Sequence, residues 1–293
     1  MKKDIQYRFD RNMRFFGKDG QDKIAKAHVA VVGIGGLGTH VVQQLSLLGV
    51  GHLTLVDNEE IDTTNLNRYI GVRHSDPIPG TPKVIIGKRT AKEINPDIKV
   101  NKIPLSLVTQ QAFDAIVQAD YIFGCLDREG FRLILNELCS AYSKPYFDLA
   151  SDIIPGDPII FGGRICVAWN GSGCISCFGE LDIEEAQTDL LDTGTRQNRN
   201  AIYGIQKDVL DQVGPSVVSI NGVIASLAVT EFVVGVTEIR EPKKLCFYHG
   251  HMGRVTFNNE EPAPDCYYCK GIRGWKEKAE VQRYLLSREG FKM

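Results

Sequence analysis

The first half of the chain switches repeatedly between two hydrophobic rhythms. Short apolar runs at His28 to Gly33, His52 to Asp57, Ile98 to Ile103, Tyr121 to Cys125 and Pro145 to Asp148 predict buried strands. Between them, apolar residues recur at helical spacing over Leu37 to Gly49, from near Pro82 to about Glu93, over Gln110 to Gln118 and over Arg128 to Ser143. Gly49 suits a helix end, and Asn95-Pro96 stops the second helix. Strand and helix alternating in this way predict an α/β fold with a doubly wound, mostly parallel, Rossmann-like sheet.

After residue 150 the rhythm breaks. Ile159 to Trp169 reads as a strand that carries the sheet into an antiparallel part. Phe178 to Val213 is polar, acidic at first and weakly periodic, which predicts a long loop holding at most a short helix. Ser216 to Val236 predicts one apolar helix. Asn221, Gly222, Ser226, Thr230, Glu231 and Gly235 interrupt it, which favours a buried soluble helix over a membrane span. Leu245 to His249 and Gly253 to Phe257 predict a terminal strand pair, and Trp275 to Arg288 a charged amphipathic helix. The expected divisions are an N-terminal helical arm (1–27), a nucleotide-binding half (28–150), a second half (151–270) carrying the 178–213 crossover, and a C-terminal helix (271–293).

Composition narrows the partners. The 293 residues are 43% hydrophobic and 24% charged, with net charge -2 and pI about 6.3, enough apolar material for a sizeable core. No basic patch is visible, which points away from nucleic acid and from anionic membranes. The charged start, Met1-Lys2-Lys3-Asp4, leads into no apolar stretch of the kind a signal peptide needs. Eight cysteines without such a signal are expected in a reducing cytoplasm, where paired cysteines read as metal ligands.

Gly33, Gly35, Gly36 and Gly38 follow the first strand and open a helix. Glycines let a phosphate approach the backbone, and the helix start supplies free N–H groups and partial positive charge. Asp57 ends the second strand about twenty residues on, where a ribose hydroxyl is held. These residues alone predict an adenine nucleotide and fit NAD as well as ATP; glycines kept only for tight packing are the plainer alternative. The rest of the chain separates the two nucleotides. Asn65 and Arg68 follow the second strand, and Arg68 suits a bidentate grip on phosphate. Lys83 starts a helix. Asp127 lies beyond the fourth strand, where a carboxylate suits Mg²⁺ bound with phosphate oxygens. No acid or base is comparably placed for hydride transfer.

Cys174-Ile175-Ser176-Cys177 and Cys266-Tyr267-Tyr268-Cys269 form two C-x-x-C pairs. Four thiolates make a closed tetrahedral Zn²⁺ site, structural rather than catalytic. Here it would clip the C-terminal tail back onto the sheet. A redox dithiol or plain core cysteines are the alternatives. Cys125, Cys139, Cys166 and Cys246 read as buried, inert thiols.

Arg11, the G-x-G-G-x-G loop, Asp57, Asn65-Leu66-Asn67-Arg68, Lys83, Asp127 and the two C-x-x-C pairs together resemble the ThiF/MoeB/HesA family of E1-like adenylyltransferases. The resemblance spans about residues 7 to 270. It implies ATP-dependent adenylation of the C-terminal carboxylate of a ubiquitin-like or sulfur-carrier protein ending in Gly, or of a ribosomal peptide. Gly33, Gly35, Gly36 and Gly38 would line the phosphates, Asp57 the ribose, and Asn65, Arg68 and Lys83 the triphosphate; Asp127 would bind Mg²⁺. The resemblance also implies a homodimer in which Arg11, with Arg14 as the weaker candidate, reaches the neighbouring subunit's ATP, and it makes the second half the carrier-binding half. One departure stands out: 178–213 contains no cysteine for a thioester or sulfur relay. The activated acyl group would pass to an acceptor on another protein, an E2-like thiol or a sulfurtransferase. A catalytically dead subunit would be expected to lack Arg11, Lys83 or Asp127, and all three are present.

Overall fold

The computed structural model describes residues 8–190, 214–258 and 260–285. A single eight-stranded sheet organises them. Its strands are β1 (His28–Val32), β2 (His52–Val56), β3 (Lys99–Ile103), β4 (Tyr121–Gly124), β5 (Tyr146–Ile154), β6 (Ile160–Ala168), β7 (Leu245–His249) and β8 (Arg254–Asn258). They lie in the order β3-β2-β1-β4-β5-β6-β7-β8. Pairing is parallel from β3 to β5 and antiparallel from β5 to β8, as the change of rhythm near residue 150 predicts.

The helices are α1 (Asp10–Lys26), α2 (Gly36–Leu48), α3 (Lys83–Ile94), α4 (Gln110–Gln118), α5 (Glu129–Ala141), α6 (Ile183–Asp189) and α7 (Val218–Val236). One apolar cluster joins α2, α3 and α7 to one face of the parallel strands, and a second joins α4 and α5 to the other. Covered on both faces, β1 and β2 are buried at every position after their first, hence their unbroken apolar runs. Gly49 closes α2 in the left-handed conformation at φ 87°, with its N–H bonded back to Leu45 and Ser46.

α7 is long and apolar enough to cross a bilayer, but it packs against α2, β5 and β6. Its polar interruptions are accommodated inside. Glu231 is 4% exposed and receives both terminal nitrogens of Arg240 at 2.7 Å. Asn221, 1% exposed, is bonded on both sides of its amide.

One expected element is described only in part, and another differs. The polar crossover starts with α6, capped by Asp182, whose carboxylate accepts the Glu185 N–H; the remainder of the predicted loop, 191–213, lies outside the described residues. The helix expected over Trp275 to Arg288 is replaced, as far as residue 285, by two 3₁₀ turns, Lys276–Ala279 and Val281–Tyr284. Glu280 separates them at φ 52°. Docking overrides helical spacing here: Ala279 and Val281 are buried, and Arg283 and Tyr284 both engage Glu137 of α5. Residues 286–293 lie outside the description.

β5 pairs with β4 only over Tyr146 to Asp148, then runs six residues further. That overshoot is about 20 Å at strand rise. With β6 to β8 it forms a wall beside the carboxyl edge of the parallel sheet.

Candidate nucleotide site and cysteine cluster

At the carboxyl edge, β1 is flanked by β2 on one side and β4 on the other, so the chain order reverses direction at β1. Such a switch point opens a crevice where ligands bind. The glycine loop, Asp57 and the Cys125–Asp127 segment leave these three neighbouring strands side by side.

Within the loop, each glycine meets different surroundings. A Cβ on Gly38 would sit 2.0 Å from the Gly33 carbonyl oxygen, so that position holds strand and helix together. A Cβ on Gly36 would meet the Asn221 amide nitrogen at 2.4 Å and Arg68 Cδ at 3.4 Å. Gly35, the N-cap of α2, faces open space. The unpaired N–H groups of the first helical turn thus stand next to an unfilled face.

Asp57 pins the loop to the end of β2. One carboxylate oxygen accepts the Ile34 N–H at 2.6 Å, the other the Glu59 N–H at 2.8 Å. Burial pushes its carboxyl above the usual range, and Lys83 opposes that shift. A carboxylate has about four acceptor positions, so two remain for hydroxyls.

Asn65 and Arg68 come from a short 3₁₀ turn, Thr63–Asn65, built by reciprocal capping. Asp62 accepts the Thr64 N–H, and Asn65 Oδ1 accepts the Asp62 N–H at 3.1 Å. The Asn65 carbonyl is thereby committed to the turn, which leaves its Nδ2 to donate. Arg68 lays its aliphatic stem on Gly36 and bonds the Thr64 carbonyl at 2.6 Å.

Lys83 is buried at the start of α3. Its N–H bonds the Glu59 carbonyl, and its ammonium pairs with the Glu59 carboxylate, which is largely exposed. A phosphate entering here would meet a lysine whose present partner can swing into solvent. Asp127 is exposed just past β4, with no ion pair or hydrogen bond among the described residues. Cys125, two residues before it, is half-buried behind Gly33, and desolvation followed by the nearby Asp148 holds its thiol far up. Cys139, Cys166 and Cys246 are held up in the same way.

Arg11 lies elsewhere. Phe9 packs on Gly49, at the far end of α2 from the glycine loop, and Arg8 bonds the Ile94 carbonyl at the end of α3. The thirteen residues of α2 separate the two ends by about 20 Å. The exposed Arg11 is therefore out of reach of its own loop. Arg14 is exposed and paired with Asp10.

Sequence reasoning missed two groups. Asn221 of α7 touches the loop from above. Beneath it, Asp148 is fully buried between Arg132 and Arg164, with the Tyr146 hydroxyl donating to it at 2.8 Å. Both arginines also donate to the Glu180 carbonyl, and Glu129 accepts the Asp182 N–H. The network ties the start of the crossover to α5. A buried Arg is rare unless paired, but its partner cannot be read without the fold.

The four sulfurs of Cys174, Cys177, Cys266 and Cys269 all lie within 4.8 Å of one another. Neighbours stand at 3.8 Å (Cys174–Cys177), 3.7 Å (Cys174–Cys266) and 3.3 Å (Cys177–Cys269). Tetrahedral Zn–S bonds near 2.3 Å require about 3.8 Å between sulfurs, so the donor set fits such an ion.

Residues 9–268 match the ThiF family. The Escherichia coli molybdopterin-synthase adenylyltransferase is 32% identical over 186 residues, 63% of this chain and 71% of that enzyme. The E. coli sulfur carrier protein ThiS adenylyltransferase is 31% identical over 162 residues, 54% of this chain and 61% of that enzyme. Among solved structures, E. coli MccB with ATP superposes with a TM-score of 0.69 at 23% identity, over 89% of this chain and 74% of MccB. At that identity the likeness is one of fold.

Proposed function

The chain belongs to the ThiF family, and we propose that it adenylates the C-terminal carboxylate of a small ubiquitin-like or sulfur-carrier protein ending in Gly. The observation that carries this reading is the convergence of the open glycine loop, Asp57, Arg68 and Lys83 at one switch point. In the proposed reaction a carboxylate oxygen bonds to the α-phosphorus of ATP as the bond to the pyrophosphate oxygen breaks. Asp57 holds the ribose. Arg68 and Lys83 stabilise charge that grows on the departing pyrophosphate, and Lys83 exchanges Glu59 for phosphate to do so. Asp127 is the ligand we assign to Mg²⁺, which would neutralise phosphate charge when bound. Arg11, unable to reach its own loop, is assigned to the site of a second copy, making the working unit a homodimer. The four cysteines would hold Zn²⁺ as a closed structural site, in a cytoplasm that keeps thiols reduced.

The wall formed by β5 to β8 supports a folded partner. Its outer end carries exposed Ile154, Ile159 and Ile160 at one turn and Met252 at the adjacent one. A domain resting there could lay a glycine tail, free of Cβ, along the wall to the α-phosphorus. The test is ATP–pyrophosphate exchange with candidate carriers. Exchange should need a free C-terminal glycine and fall ~100–1,000-fold in Lys83→Ala. Exchange that ignores Lys83, or its absence with every carrier tried, would remove the proposal.

A further inference from the structure

Asn221 occupies a place that the proposed chemistry has not used. Its Oδ1 accepts the Ser151 hydroxyl at 2.8 Å, and its Nδ2 donates to the Ser216 hydroxyl at 3.1 Å. The Ser216 carbonyl in turn accepts the Asn67 amide at 3.3 Å. Its Nδ2 also stands against Gly36, on the side where the Arg68 stem lies. One buried amide thus joins β5, the entry to α7, the loop carrying Arg68 and the first residue of α2. An amide nitrogen offers two N–H groups. Only one has a partner among the described residues.

We infer that Asn221 is a positioning residue of the nucleotide site. With Ser151 and Ser216 as its braces, it sets the span between the Arg68 guanidinium and the open first turn of α2, the two groups assigned to the phosphates. It also explains Gly36: any Cβ there would collide with the amide. The inference rests on the ATP reading above.

Three variants test it by Mg-ATP affinity from calorimetry, by kcat and KM in pyrophosphate exchange, and by melting midpoint. Asn221→Ala should lower kcat by up to about 100-fold, the scale of an ångström's misplacement, while the melting midpoint moves by only a few degrees. Asn221→Asp keeps the shape and the Ser151 bond but loses the donor and adds charge, so it should bind ATP more weakly than Asn221→Ala. In the pair Asn221→Ala/Arg68→Ala, the loss should be close to that of Arg68→Ala alone, since the amide acts through Arg68. Losses that multiply, or a lowered melting midpoint with unchanged affinity and kcat, would overturn the inference while leaving adenylation standing. A wild-type protein that binds no ATP would overturn both.

Discussion

In the parallel half of the sheet, β1, β2 and β4 are buried at every position after their first residue. In the antiparallel half, β8 has no fully buried residue and β7 has only two. The inner parallel strands are therefore enclosed, while the antiparallel end, like the β3 edge, is open. These enclosed strands have no free face, so whatever chemistry they offer sits on loops leaving their carboxyl edge, much of it as backbone N–H groups. The open end keeps an exposed face and is held from outside by the cysteine cluster and the Asp148 ion network.

The sharpest way to break this contrast is to remove the outside fastening. Cys266→Ser should abolish metal retention and unfold the second half first; structural zinc supplies ~10–16 kcal/mol in small domains. Metal analysis with denaturant unfolding reads it, and retained zinc with full stability would end the idea of a clip. Asp148→Ala comes next. It leaves two buried guanidinium groups without their shared carboxylate, at an expected cost of ~3–5 kcal/mol. Urea titration measures that, and a loss below 1 kcal/mol would mean the arginines find other partners.

The open face should respond differently. Ile159→Asp with Met252→Asp is expected to raise the carrier KM about tenfold, ~1.4 kcal/mol, with ATP affinity and melting midpoint unchanged. Equal weakening of ATP would show that this end is not separate from the nucleotide site. The smallest effect belongs to the enclosed half. His28 stacks on His52 with ring centroids 3.7 Å apart. Burial, then the neighbouring ring, holds the His28 imidazole down to about 4, against the pull of Asp120. The unfolded chain takes a proton near 6.5 that the folded one refuses, so this contribution is intact above pH 6.5 and declines as pH falls toward 4. His28→Gln should flatten that slope in unfolding midpoints measured across the window; an identical slope would clear His28.

Which parts were legible in the sequence follows the same division. Buried parallel strands advertise themselves as unbroken apolar runs, and β1, β2 and β4 end within a residue or two of their predicted limits. The glycine loop and the C-x-x-C pairs are local in sequence, and local spacing carries their geometry. Asn221 was visible only as a blemish in an apolar helix, because its meaning depends on Gly36, 185 positions earlier. The Asp148 network joins four separate segments, and no spacing rule connects them. The mistaken C-terminal helix failed for a related cause: helical periodicity cannot foresee Glu137 drawing Arg283 and Tyr284 onto α5.

Arg11's position at the wrong end of α2 has one further consequence. If each site borrows that arginine, two inactive proteins can complement each other. In a mixed dimer of Arg11→Ala and Lys83→Ala, the subunit keeping Lys83 receives an intact Arg11 from its neighbour, while the other site lacks both. Random subunit exchange would then restore up to a quarter of wild-type activity from two silent parents, making shared ownership of the site a matter of simple mixing.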